Sequence, residues 1–297
     1  MDYFANTKLQ DNTKKNYNKF LQKWIDLFDF EVTPSYIYNR PLESISVLRK
    51  WLQENDSDTQ SILNRYVTII MSYRKYNFKN ISSDPIIYSK WNDIHKLTYQ
   101  QIISHRLQSQ PTFLQSEKTG SEMTWNEIID IRDQLPIGAM KLLIAFYTYI
   151  PPMRADYGCV SIIKYGDNPP TANYLMTDEK EATLTMRDFK TYKSYGEIKQ
   201  KLPNELFLLL QQSLRLQPRD WLFCNRYGSP FNRSNFSSWA NEGLSRVFSK
   251  DFSLTFFRHI FLSQLPKMTL SERQRVANLM CHSLSQQVAY QWIDSDE

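Results

Sequence analysis

MCHSLSQQVAYQW, residues Met280–Trp292, carries two groups with chemistry of their own, His282 and Tyr290, eight residues apart. Working outward, LTFFRHIF (Leu254–Phe261) sets Arg258 beside His259 in a helical pattern. RDFKTYKSYGE (Arg187–Glu197) offers Lys190, followed by Thr191, and Lys193. PPMRADY (Pro151–Tyr157) places Arg154 just past a strongly apolar helix. Each has a bland reading. An arginine there can cap a helix C-terminus, a turn lysine is usually solvated, and a helical tyrosine is core or surface by default in a chain with 18 of them. The order Arg, Lys, Arg-His, His, Tyr sets these residues apart.

The 297 residues favour two domains. Hydrophobic residues at 41% and charged residues at 23% suit packed cores. No apolar run approaches the ~20 residues of a membrane span, so no membrane partner is expected. The N-terminal MDYFANTKLQDNTKKNY has no apolar h-region, which predicts a soluble, intracellular chain in cytoplasm or nucleus. Cys159, Cys224 and Cys281 lack metal-ligand spacing, and the four histidines have no cysteine or acidic cluster beside them. No disulfide framework, metal site or cofactor is therefore expected. Seven glycines form no phosphate-cradling loop motif. A net charge of +5 permits a polyanionic partner.

Residues 1–107 read as helical. Thr13 is placed to cap a helix with Tyr17, Phe20, Leu21, Trp24, Leu27 and Phe28 on one side and Lys14, Lys15, Lys19 and Lys23 on the other. Further helices are predicted over Leu42–Asn55, Thr59–Lys75 and Trp91–Leu107, with Arg74, Lys75, Lys79, Lys90, Lys96 and Arg106 interleaved with tyrosines. QSQPTFLQSEKTGSE (108–122) has the composition of a linker. Residues 123–297 then read as a second domain. Thr124 to Glu127 forms a capping box, Gly138–Ile150 is an apolar helix ended by Pro151-Pro152, and Ala172–Tyr195 alternates as a hairpin or three strands. Helices return at Leu202–Leu214, Ser234–Phe248, Leu254–Leu265 and Ser271–Met280. The fold class is mainly α (α+β).

From Thr112 to Glu297 the chain resembles the catalytic domain of tyrosine recombinases. Arg154 takes the place of the family's first catalytic arginine, Lys190 that of the hairpin lysine with Lys193 as alternative, and Arg258 the arginine of the His-x-x-Arg helix. His282 takes the place of the Gly-His-Ser histidine and Tyr290 that of the nucleophile. The Pro-Pro and near Asp156 are closest to members from large eukaryotic DNA viruses and mobile elements. The chain departs from the family at Thr255, where His or Lys is usual, at Cys281, where Gly is usual, and in the eight-residue interval to Tyr290, where nine is commoner.

The resemblance implies a helical core-binding (DNA clamp) domain over 1–107, a linker over 108–122 and a catalytic domain with a small antiparallel sheet over 123–297. It implies site-specific recombination or integration, without metal or ATP. Arg154, Arg258 and His282 would hold the scissile phosphate, Tyr290 would form a 3′-phosphotyrosine, and Lys190 would protonate the leaving 5′ oxygen. The implied partner is double-stranded DNA, bound by a homo-tetramer. Candidate DNA contacts are Lys14, Lys15, Lys19, Arg74, Lys75, Lys79, Lys193 and His259. The acidic tail QWIDSDE points to a reduced C-terminal exchange between subunits. A type IB topoisomerase-like enzyme shares the chemistry, and a DNA-binding protein that has lost catalysis is the reading that Thr255, Cys281 and the short interval favour.

Overall fold

The computed structural model describes residues 2–5, 7–55, 60–77, 81–107, 122–265 and 268–290. Lys79 and nearly all of the expected linker lie outside these residues. Contacts divide the chain into two units, Met1–Leu107 and Gln108–Glu297.

In the first unit, every described element is helical: α1 (Asp11–Ile25), α2 (Pro34–Asn39), α3 (Pro41–Glu54), α4 (Gln60–Tyr76) and α5 (Pro85–Leu107). Helix α1 begins before Thr13, which lies inside its first turn. Gln10 takes the cap position, and Asp11 supplies the negative charge that a helix N-terminus favours. The unforeseen α2 opens on Thr33, whose hydroxyl accepts the Tyr36 N–H, with Pro34 at the first helical position. Leu21, Trp24, Leu48, Leu63, Tyr66 and Trp91 are fully or almost fully buried together. Both indole N–H groups find backbone acceptors, Trp24 on the Ser44 carbonyl (3.1 Å) and Trp91 on the Tyr38 carbonyl (2.7 Å). Large aromatic areas are thus buried without stranding a donor.

The second unit opens with α6 (Trp125–Gln134), started by the Thr124–Glu127 capping box. Helix α7 (Ala139–Thr148) buries all of Leu142–Tyr147, so it runs through the core. Four strands follow: β1 (Ser161–Lys164), β2 (Tyr174–Thr177), β3 (Ala182–Met186) and β4 (Ile198–Lys201), with the one-turn α8 (Tyr192–Tyr195) between the last two. The order is β1-β2-β3-β4, with β2–β3 and β3–β4 antiparallel and β1 parallel to β2. This corrects the expected sheet of two or three antiparallel strands. The run SIIK is too short for alternation to show, and its parallel register, Ser161 opposite Tyr174, is set by tertiary contact. Helices α9 (Asn204–Leu216), α10 (Arg233–Phe248), α11 (Leu254–Gln264), α12 (Leu270–Leu279) and α13 (Leu284–Tyr290) complete the unit. No helix among the described residues is long and apolar enough to cross a membrane.

Candidate active site

Helix α11 buries Phe256, Phe257 and Ile260 in the core, and Arg258 and His259 are carried inside with them. Arg258 is only 2% exposed, and its guanidinium lies 4.4 Å from the ring centre of Tyr290 on α13. His259 holds the same tyrosine twice. Its Nδ1–H donates to the Tyr290 carbonyl at 2.9 Å, and its ring meets the phenol ring edge-on at 4.9 Å. Consecutive residues of α11 therefore fix both the backbone and the ring of Tyr290. His282 packs its ring 5.7 Å from that phenol ring.

Three distant stretches meet at one carbonyl, that of Cys281. It accepts from Arg154 Nη1 (3.1 Å) and from the hydroxyl of Thr191 (2.9 Å). The Arg154 carbonyl in turn accepts from the Tyr147 hydroxyl (2.9 Å) and the Asp156 N–H (2.7 Å). Cys281 has φ 56°, in the left-handed region where a side chain costs about 1–2 kcal/mol. That geometry gives a physical reason for glycine at this position in Gly-His-Ser sequences, and the chain keeps the turn without it. Asp156 is buried with its carboxylate on Arg233 Nη2 at 2.5 Å. Burial raises the Asp156 carboxyl above its ordinary range, against the pull of Arg233.

The charges at this site are incompletely paired. Nε, Nη1 and Nη2 of Arg258 are all buried without a hydrogen-bond partner among the described residues, and so is Nε2 of His282. Burial, with the neighbouring guanidinium of Arg258, pushes His282 down to about 4; for His259 burial dominates and the value is again about 4. Burial also lowers the Arg258 pKa, with Arg154 adding to the effect and Tyr290 opposing it. Arginine remains charged under such shifts. Polar atoms this deep are nearly always satisfied, and the three unpaired nitrogens of Arg258 have the chemistry to donate several hydrogen bonds to one anion.

The structure thus brings Arg154, Arg258, His282 and Tyr290 together. Lys190 and Lys193 are exposed on the β3–β4 connection. Thr191 ties that connection to Cys281, but no hydrogen bond or ion pair joins Lys190 to the other four among the described residues. Thr255 is exposed at the start of α11. Lys15, Lys19 and Lys75 are exposed on the first unit. Lys14 donates to the Ala5 carbonyl at 3.3 Å, and Arg74 lies over the Tyr88 ring at 4.7 Å. His259, a candidate DNA contact, is buried against Tyr290. Among the described residues no group of three His, Cys, Asp or Glu could hold a metal ion. None of the site residues lines the apolar cavity of about 480 Å³ bounded by Leu135, Ile137, Met140, Trp239, Gly243 and Val247.

No protein-family model and no curated protein matches the sequence. Solved structures do. A lambda integrase dimer bound to a COC′ core site matches with TM-score 0.57 at 11% identity, over 99% of this chain and 93% of that one. Lambda integrase bound to DNA matches with TM-score 0.54 at 9% identity, over 99% and 95%. A lambda integrase tetramer bound to a Holliday junction gives 0.56 at 9%, over 99% and 77%. The chain has the tyrosine recombinase fold. Within that fold, sequence reading misses the residues that support the site. Tyr147 shows only as one apolar position of a buried helix. Thr191 carries a signal, its place directly after Lys190.

Proposed function

We propose that this chain is a site-specific DNA recombinase or integrase that cuts and rejoins DNA through a 3′-phosphotyrosine on Tyr290. The carrying observation is Arg258, a buried guanidinium with no acceptor among the described residues, stacked on the ring of the tyrosine it would serve. A scissile phosphodiester supplies what is missing, since its non-bridging oxygens are anionic acceptors. The fold supports the reading, and so do His282 beside the same tyrosine and Arg154 bonded to the carbonyl of Cys281, the residue before His282.

The catalytic set is Arg154, Lys190, Arg258, His282 and Tyr290. A phosphodiester resists nucleophiles because its charge repels them. Arg154 and Arg258 offset that charge, most strongly in the five-coordinate transition state, where removing one such donor typically costs about 10²–10³ in rate. The Tyr290 oxygen attacks phosphorus in line, and the 5′ oxygen leaves with a proton from Lys190. The new phosphotyrosine ester conserves the bond for rejoining. DNA is bound by a tetramer, with Lys14, Lys15, Lys19, Arg74, Lys75, Lys79 and Lys193 meeting phosphates and making affinity fall as salt rises. A viral or mobile-element origin fits the Pro151-Pro152 pair and the near Asp156 of the sequence.

The test begins with selection of bound fragments from random duplex DNA. A nicked suicide substrate of the selected site should then give an SDS-resistant adduct with wild type and none with Tyr290→Phe. Binding without any adduct favours a DNA-binding protein that has lost catalysis, as Thr255 and Cys281 suggest. Relaxation of any supercoiled plasmid without site-dependent products favours a topoisomerase.

A further inference from the structure

We propose that His282 is the proton acceptor for Tyr290, taking its phenolic proton on Nε2, and that it does not serve as a hydrogen-bond donor to the phosphate. The inference rests on the proposed phosphotyrosine chemistry and deepens it.

One hydrogen bond decides the tautomer. His282 Nδ1 lies 3.0 Å from the Ser283 carbonyl. A carbonyl oxygen only accepts, so Nδ1 carries the hydrogen. In a neutral imidazole the other nitrogen then holds the lone pair. Nε2 is therefore an acceptor, and it is buried with no donor among the described residues. A lone pair aimed at a phosphate oxygen repels it, whereas a lone pair beside a phenol can take its proton. The imidazole and phenol rings are neighbours, 5.7 Å apart between centres, and the imidazole is in turn within the electrostatic reach of Arg258, which lies over the same phenol ring.

The surroundings keep the ring neutral until it acts. From α11 it faces the guanidinium of Arg258, from the segment after α7 that of Arg154, and from α13 Tyr290. Cys281, its chain neighbour, has a thiol that burial pushes up to about 12. The nearby cations thus disfavour imidazolium in the free protein. An incoming phosphate brings the negative charge that changes this balance. The start of α11 offers no competing base. Thr255, three residues before Arg258, is an exposed hydroxyl that takes up no proton at neutral pH.

The step balances. The Tyr290 O–H proton moves to His282 Nε2 as the phenolic oxygen bonds to phosphorus. The bond from phosphorus to the 5′ oxygen breaks, and that oxygen takes its proton from Lys190. In rejoining, a 5′-hydroxyl attacks phosphorus and gives its proton back to the neutral amine of Lys190, the bond from phosphorus to the phenolic oxygen breaks, and imidazolium returns the proton to that oxygen.

The test is single-turnover adduct formation on the nicked substrate against pH, reading the rate constant so that a partly folded preparation does not distort it. His282→Gln keeps an amide donor and lacks a base, and His282→Ala lacks both. Both should slow cleavage about a hundredfold or more near neutral pH. Both should then regain about tenfold per pH unit as pH rises, because solvent ionises the phenol instead. A trifluorotyrosine at position 290, more acidic than tyrosine, should restore both variants and change wild type little. Near-wild-type rates for His282→Gln, or a defect indifferent to pH and fluorination, overturn the assignment and leave a phosphate contact. The same rescue in His259→Ala and not at residue 282 moves the base to His259. Absence of any wild-type adduct overturns the phosphotyrosine reading itself, and this inference with it.

Discussion

Two arginines of the second unit are buried to nearly the same degree, and each lies over a tyrosine ring, yet their nitrogens fare oppositely. Arg132, 5% exposed, lies 4.1 Å from the Tyr149 ring centre. Its Nε and Nη2 donate to Asp133 (2.8 and 3.1 Å) and its Nη1 to the Thr148 hydroxyl (2.8 Å). Arg258, 2% exposed and 4.4 Å from Tyr290, donates to nothing among the described residues. The first guanidinium is a finished piece of structure. The second holds positive charge in low dielectric with its hydrogen bonds unmade, a costly state that persists where a ligand completes it. On the proposed function, the difference is that between a guanidinium completed by its own chain and one left for a ligand to complete.

The sharpest break of this comparison is the same substitution at both places. Arg258→Met fills similar volume without charge. It should cut adduct formation by about 10²–10³ or more and yet raise the unfolding free energy of the DNA-free protein by about 1–3 kcal/mol. Arg132→Met should do the reverse on stability, costing about 1–2 kcal/mol through its lost bond to Thr148, since the Asp133 carboxylate is half exposed and contributes little. Thermal or denaturant unfolding of the two variants reads the signs. A loss of stability in both would mean that Arg258 has partners after all.

Acid should find the same weak place. His259 and His282 are held near 4 inside the site, against an ordinary 6.5. Below 6.5 the unfolded chain takes up protons that the folded site refuses. Stability present above 6.5 is therefore lost as pH falls toward 4, by about 3 kcal/mol at most for each histidine. Asp156, raised by burial, acts in the opposite direction. Unfolding curves from about pH 7 to about pH 4 should flatten in a His259→Asn, His282→Asn double variant. An unchanged acid slope would place the titrating groups elsewhere.

A third test adds the missing partner. Inorganic sulfate or phosphate should raise the melting temperature of wild type with saturation, as any ligand of the native state does. Arg132→Met should keep that response and Arg258→Met should lose it. A rise of equal size in all three would reflect general salting of the surface.

Much of the molecule is legible in the chain, and the reasons differ by residue. Helical spacing reveals the α1 stripe through Leu21 and Trp24, and Thr124 with Glu127 marks the start of α6. The box of Thr269 with Glu272, which starts α12, has the same local logic, although the expected helix there began at Ser271 without it. Local signals fail where tertiary contact decides. Thr13 has cap chemistry but lies within α1, and β1 exists because β2 lies beside it. At the site, residue types and order pick out Arg154, Arg258, His282 and Tyr290. The state of each is hidden, because an unpaired guanidinium and a tautomer depend on what lies across a contact. The Cys281 carbonyl has no sequence signal at all, since every residue has one.

The smallest expected effect concerns that turn. Cys281→Gly releases the left-handed strain, about 1–2 kcal/mol, but forfeits the burial of a side chain only 2% exposed and adds freedom to the unfolded chain, about 1 kcal/mol each. The terms nearly cancel, so stability should shift by less than about 1 kcal/mol. The Cys281 carbonyl stays where Arg154 and Thr191 need it, so the adduct rate should stay within about threefold, a free-energy change below roughly 1 kcal/mol. Cys281→Val supplies the contrast. A β-branched residue tolerates positive φ poorly, so it should lower both stability and rate. If Val and Gly behave alike, the turn is not held left-handed, and the Cys281 carbonyl is not the anchor that unites Arg154 with the Thr191 connection.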